Sequence, residues 1–249
     1  MESKGPHISI KPDHLADFFG FPLTNSYLTA IIVIFLFFLM AVYYQQQIKK
    51  NKRSQFFYLL HFAFKGIYNF FGTVVGERIN SLFPLLGSLF IYILFLNWFG
   101  LLPGVGSVLI RASQGNETRF VPLLRGNTTD LNTTLILALV AFFSIQYYGM
   151  KELGAAGYLG KFFNFSNPIS IFTGLLELVS EFSRIISFAF RLFGNIFAGE
   201  VILSIIAFLI PVLASFPFLL LEIFIGFIQA FVFAMLTAVF INLATLKSH

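Results

Sequence analysis

An all-α integral membrane protein is the fold class this sequence predicts, and three observations predict it. Apolar residues fill 57% of its 249 positions, and 36 of the residues are phenylalanine. Only 11% are charged, against about 25% in a soluble domain, so the chain cannot coat a water-facing surface. The apolar residues also fall in uncharged runs long enough to cross a bilayer as helices. A soluble globular enzyme is thereby excluded. Disorder is excluded too, since it needs low hydrophobicity and high net charge. Cysteine is absent, which removes disulfides, thiolate metal sites and a thiol nucleophile.

Residues 1–26 are mixed and polar, without the basic start, short apolar stretch and cleavage site of a secretory signal, and are expected as an outer amino-terminal segment. A single membrane domain, 27–249, follows. Its first span, 27–44, carries no charge and is long enough for a hydrocarbon core of roughly 30 Å. It stops at Gln45-Gln46-Gln47, and Lys49, Lys50, Lys52 and Arg53 come next. Four positive charges directly after a span read as cytoplasmic, which puts the amino terminus outside.

In residues 55–79 the polar side chains His61, Lys65, Asn69 and Thr73 recur every four positions, so this segment is expected as an interfacial helix. The second span, 82–102, ends at Pro103-Gly104. Residues 103–130 read as an outer loop with Asn-x-Thr triplets at Asn116, Asn127 and Asn132, a glycan-acceptor pattern common by chance. The third span, 131–149, returns inward to Lys151, Glu152 and Lys161.

The last third differs. Residues 168–210 contain no strong helix breaker, and a helix of that length runs about 63 Å. After a corner at Pro211 to Pro217, a second stretch covers 212–246. Both are too long to stand upright in roughly 30 Å, so the expectation is a long, strongly tilted helical hairpin, with broken helices as the alternative. Three upright spans, one interfacial helix and this hairpin complete the architecture. In this topology the inner side holds Lys49, Lys50, Lys52, Arg53, Lys65, Arg78, Lys151, Lys161 and Lys247, and the carboxyl terminus. The outer side holds fewer cations: Lys4, Lys11, Arg111, Arg119 and Arg125. That asymmetry agrees with the orientation.

The hairpin contains Glu177, Glu181, Arg184, Arg191, Glu200 and Glu222. A charge at the centre of a membrane helix costs roughly 2.5–3.5 kcal/mol on insertion scales, so such residues mark a functional site unless they lie at an interface. For Glu177, Glu181 and Arg184, near the inner end, both readings stand. Glu177, Arg184 and Arg191 are spaced by sevens and share a face, with Asn195 one turn further on. Glu200 falls on roughly the opposite face from Arg191. Folding the hairpin about Pro211 brings Glu200 level with Glu222, and Arg191 level with Gln229. Two carboxyls close together in low dielectric cannot both ionise easily and can share one proton. An arginine stays protonated and acts as a fixed charge that protons must go round.

The run Arg191-Leu-Phe-Gly-Asn195-Ile-Phe-Ala-Gly-Glu200 resembles the most specific motif of the a subunit of F-type ATP synthases. Gln229-Ala-Phe-Val-Phe, Asp130-Leu-Asn-Thr-Thr and Trp98-Phe-Gly-Leu-Leu-Pro103 resemble the same family, in its bacterial form, over nearly the whole chain. The resemblance implies a non-catalytic stator subunit with two half-channels that load and unload protons on a rotating ring of c subunits, so coupling proton flow to ATP synthesis. It implies that Arg191 separates the half-channels. Asn195, Glu200, Glu222 and Gln229 would then serve the outer path, and Glu177 with Ser187 the inner one. Implied partners are the c-ring, the peripheral stalk b subunits, the rest of the synthase and membrane lipid, with no nucleic acid, cofactor or metal. The implied location is the bacterial plasma membrane, with an organelle or thylakoid membrane as the alternative. The ion is H⁺ or Na⁺. The resemblance gives Glu181 no role.

Other classes predict other features. A secondary transporter would show repeated halves and short interrupted helices, and neither is visible. A plain membrane anchor predicts that neutralising Glu200 and Glu222 leaves proton flux alone. An enzyme is disfavoured, because Ser180, Ser183, Ser187 and Ser204 are hydroxyls able to bond back to their helix. His7, His14, His61 and His249 read as surface residues. Trp98, Tyr147 and Tyr148 suit the membrane interface, and Gly194 and Gly199 suit close helix approach.

Overall fold

Three of the described helices begin where a side chain accepts a hydrogen bond from a free backbone N–H of the first turn. The computed structural model describes residues 11–18, 21–50, 53–114, 117–162, 167–210 and 215–246. Thr24 Oγ1 accepts from Tyr27 N at 3.2 Å and opens α1, Asn25–Ile48. Ser54 Oγ accepts from Phe56 N at 3.3 Å and opens α2, Gln55–Val75. A single 3₁₀ turn, Gly76–Arg78, leads into α3, Ile79–Phe99. Asp130 Oδ1 accepts from Asn132 N at 3.0 Å and opens α4, Leu131–Leu153, which is followed by the short α5, Ala155–Leu159. Pro168 occupies the first turn of α6, Pro168–Leu209, where no partner for its nitrogen is needed. The last helix, α7, is Ser215–Ala244.

Among the described residues, five helical stretches are long and apolar enough to cross a membrane: α1, the run Gln55–Phe99 that joins α2 to α3, α4, α6 and α7. Several boundaries correct the sequence reading. The second span starts at Ile79 and ends at Phe99, so the apolar segment before the turn is Gln55–Val75. The first span extends through Gln45–Gln47 to Ile48, and the third to Leu153. Polar residues at these ends remain helical because the backbone ladder continues past the apolar run.

The described residues are mostly helical, as the all-α class requires, and two short antiparallel β-hairpins accompany the helices, one in the amino-terminal segment and one in the expected outer loop. β1, His14–Phe18, pairs with β2, Phe21–Thr24. β3, Leu109–Gln114, pairs with β4, Glu117–Pro122, from Leu109 opposite Pro122 to Gln114 opposite Glu117. Lys4, His7, Lys52, Asn116, the chain at Pro211, Lys247 and His249 lie outside the described residues.

The hairpins cap one end of the bundle, here the β end. There Asn25 ties the two together: its amide donates to Asp13 Oδ2 at 3.1 Å and to Pro122 O at 3.3 Å. Arg125 donates to Lys11 O at 2.8 Å across the same cap. The opposite end is closed by α5. Lys161, just beyond it, donates to Ala244 O at 3.2 Å and Leu246 O at 2.9 Å, the free carbonyls at the end of α7.

Between the ends, α3, α4, α6 and α7 form one core. Leu86, Phe90 and Ile93 of α3 meet Ala141 and Ile145 of α4, Phe188 and Leu192 of α6, and Ala230, Ala234 and Ala238 of α7. The alanines allow close backbone approach, which is how membrane helices associate without a hydrophobic driving force. Close approach also governs Gly100, where a Cβ would meet Gly126 Cα at 2.9 Å and push the cap off α3. By contrast α2 is mostly exposed, and His61, Lys65, Asn69 and Thr73 all lie on its exposed face.

Candidate functional site

Charge in the hairpin separates into two groups. At the β end, Glu222 is buried at 4% exposure, and its carboxylate lies against Gly199, the neighbour of Glu200. Any side chain at Gly199 would occupy the space of that carboxylate. Glu200 is close enough for its charge to act on Glu222. The two carboxyls are therefore brought together as the hairpin arithmetic required. Glu200 Oε2 is buried with no hydrogen-bond partner among the described residues, although buried polar atoms are ordinarily satisfied.

A belt of buried polar side chains continues from this pair towards the β-hairpins. Asn97 donates to Gly226 O at 2.8 Å while its Oδ1 is unpartnered. Asn127 and Thr128, both at 0% exposure, leave Nδ2 and Oγ1 without partners in the 3₁₀ turn Asn127–Thr129. The sequence reading missed all three as site residues. Asn97 was findable as an amide inside an apolar span, whereas Asn127 was seen only as a triplet in a loop. Its complete burial removes the glycan reading at that position; Asn132 is exposed.

Midway along α6, Arg191 and Asn195 are exposed and Arg191 has no ion-pair or hydrogen-bond partner among the described residues. Arg191 lines an open cavity of about 250 Å³ with Ser180, Ser183, Arg184, Ser187, Phe188, Leu236 and Phe240. Arg191 and Glu200 thus face different surroundings, as their spacing on one helix dictates. Ser187 joins the Arg191 cavity. Glu177 is exposed on α6 nearer the α5 end, and Gln229 is half-buried on α7. Ser204 bonds back to its helix, to Glu200 O at 2.6 Å, whereas Ser180, Ser183 and Ser187 line the cavity.

The second charged group is at the α5 end. Glu181 is buried and accepts from Arg184 Nη1 at 2.7 Å and from Gln146 Nε2 at 2.8 Å. The Arg184 guanidinium lies 3.9 Å from the centre of the Phe240 ring. Tyr158 of α5 is buried beside this group, where burial first and then the Glu181 charge push its hydroxyl up to about 12. Glu181 is thus buried within the bundle, whereas Arg184 is half-buried and lines the cavity.

Gly199 does sit at a close approach, but at Gly194 no other helix among the described residues comes within 4 Å of the position a methyl group would take. Trp98 is partly exposed and donates Nε1 to Ile223 O at 2.9 Å, pinning α3 to α7. His61 is exposed and pairs with Tyr44 Oη at 2.9 Å, while His14 is half-buried in β1 and partnered.

The family described as "ATP synthase A chain" matches residues 26–242. ATP synthase subunit a of Desulforamulus reducens is 33% identical over 72% of this chain and 65% of its own length. ATP synthase subunit a 2 of a Bradyrhizobium species is 34% identical over 69% and 66%, respectively. ATP synthase subunit a of Gloeobacter violaceus is 34% identical over 74% and 68%. The matched part of the chain thus spans about two thirds of the length of these relatives.

Proposed function

Since the chain belongs to the ATP synthase A chain family, we propose that it is the non-catalytic, ion-translocating stator subunit of an F-type ATP synthase. In this reading it provides two half-channels to a ring of c subunits, each open to one side of the membrane, with Arg191 between them. Residues 27–249 act as one membrane domain in a bacterial plasma membrane, with the amino terminus and the β end outside and the α5 end facing the cytoplasm. The peripheral stalk b subunits and lipid are its further neighbours.

One observation supports this most: Arg191 is exposed and without an acidic partner among the described residues, although it lies within an apolar hairpin. An unpaired guanidinium there is costly and calls for an anion from outside the chain. An ionised ring carboxyl supplies it. A neutral ring carboxyl can turn through lipid, while an ionised one is held near Arg191, so the proton is given up on one side and replaced on the other. Glu200, Glu222, Asn195 and Gln229 serve the outer path. The unpartnered atoms of Glu200, Asn97, Asn127 and Thr128 are places where water can continue that path to the β end. Glu177 and Ser187 serve the inner one. Each elementary charge crossing 100 mV supplies about 2.3 kcal/mol, so several must pass for each ATP.

The test is ATP-driven and passive proton flux in vesicles bearing the complete complex, wild type against Arg191→Ala. Pumping is expected to fall at least 100-fold, by analogy with loss of a fixed catalytic charge, and a passive leak is expected once the soluble head is stripped away. Undiminished pumping would return the chain to the transporter reading.

A further inference from the structure

Arg184 has a neighbourhood that the proposed pathway does not use. It shares the open cavity with Arg191, Ser180, Ser183 and Ser187. Its side chain is 16% exposed, and one nitrogen is fixed on Glu181 at 2.7 Å. Its guanidinium carbon lies over the Phe240 ring, 3.9 Å from the ring centre. Glu181 is in turn fixed by Gln146 on α4 at 2.8 Å. A guanidinium has five N–H donors, and only one has a partner among the described side chains, so positive charge still reaches the cavity.

A mere packing device would not need these charges. Well-packed apolar residues fill such a site at no loss of stability, because burying an ion pair carries a heavy desolvation penalty. Of the pair, Arg184 lines the cavity, and Glu181 holds it there from the buried side. Resting on the stator reading above, we propose that Arg184, clamped by Glu181 and Phe240, is a positioning charge of the inner half-channel. It is a second fixed cation beside Arg191 that favours release of a ring proton towards the α5 end.

The charged and titratable groups around it are few. On α6 they are Glu177, Glu181 and Arg191; α5 brings Tyr158, and Lys161 follows with its ammonium over the Tyr158 ring. From α4 comes the uncharged Gln146, and from α7 the apolar Leu236 and Phe240. Glu181 opposes Arg184 in sign, so each single neutralisation has its own direction. Removing the cation lets a ring carboxyl hold its proton more tightly, and removing the anion does the reverse.

The experiment is ATP-driven proton uptake by the complete complex in inverted vesicles, as a function of pH on the α5 side. Rates are normalised to uncoupled ATP hydrolysis at the same pH. Arg184→Gln is expected to move the midpoint of the uptake limb upward by about one pH unit, the effect of one charge at about 10 Å in an effective dielectric near 20. Glu181→Gln moves it downward. Glu181→Gln with Arg184→Gln together return it towards wild type, and Arg184→Lys keeps the wild-type midpoint. A pair that only holds helices together would lower the amount of assembled complex and leave every midpoint in place, and that result overturns the proposal. Should Arg184→Gln not assemble, the Glu181→Gln and Arg184→Lys midpoints decide alone. Failure of the stator reading is recognised separately, by undiminished pumping in Arg191→Ala.

Discussion

Glu181 and Glu200 are carboxylates on the same helix, α6, set in opposite ways at its two ends. Glu181, at the α5 end, has both oxygens occupied, one by Arg184 and one by Gln146. Glu200, at the β end, has an oxygen buried without a partner, and Glu222 beside it. The first arrangement locks a charge in place, because neither partner can leave without stranding the other in low dielectric. In the second, two acids lack any cationic partner among the described residues, so a shared proton is the means of relieving their repulsion. Fixed charge at one end and exchangeable charge at the other is the division that a directional ion path requires.

The comparison is broken most severely by filling Gly199. A methyl there falls on the Glu222 carboxylate, so Gly199→Ala must displace it from Glu200. Pumping is expected to fall at least tenfold, about 1.4 kcal/mol in the rate-limiting step, with complex assembly retained. Glu222→Asp, one methylene shorter, restores part of the rate in the Gly199→Ala background. If flux in vesicles is undiminished by Gly199→Ala, the juxtaposed carboxyls are not on the path.

That pairing was legible in the sequence, because a hairpin about Pro211 places Glu200 and Glu222 at equal distances from the turn. Periodicity also separated Arg191 from Glu200. The α5-end group was not legible, since Gln146, Tyr158 and Glu181 come from three helices whose packing no single helical period specifies. Nor were the β-hairpins: β3 and β4 are short, and the Gly and Asn residues around them read equally well as an irregular loop. Asn127 shows the same limit. Its burial depends on the cap closing over α3, through the contact of Gly100 with Gly126, and no local pattern encodes that.

A milder change tests whether the α5 end is as rigid as its hydrogen bonds imply. A Cβ at Gly149 of α4 would run into the Tyr158 ring. Overfilling a packed site of this kind costs about 1–3 kcal/mol, so Gly149→Ala is expected to lower the thermal inactivation midpoint of the solubilised complex. The Tyr158 hydroxyl adds a pH signature. Burial raises it from 10.0 to about 12, so its contribution to stability is complete below pH 10 and lost as pH rises through about 12. Tyr158→Phe removes that alkaline step. An unchanged midpoint in Gly149→Ala would mean that α5 is not seated on α4, and the clamp on Glu181 would lose one of its walls.

The smallest expected effect concerns Gly194, between the two ends on α6. No other element among the described residues comes within 4 Å of a methyl placed there, and alanine is the better helix former by up to about 1 kcal/mol. Within the chain alone, Gly194→Ala is therefore neutral or slightly stabilising. The same face displays Arg191, so a ring helix packed against it would meet the new methyl. Retention of the ring during purification is then expected to weaken and pumping to fall a few-fold, while the amount of the chain itself is undiminished. Full retention and full pumping would place the ring helices at a distance from this face. Arg191 would then have to act on them through intervening water, and the contrast between a fixed and an exchangeable end would rest on the chain's own residues alone.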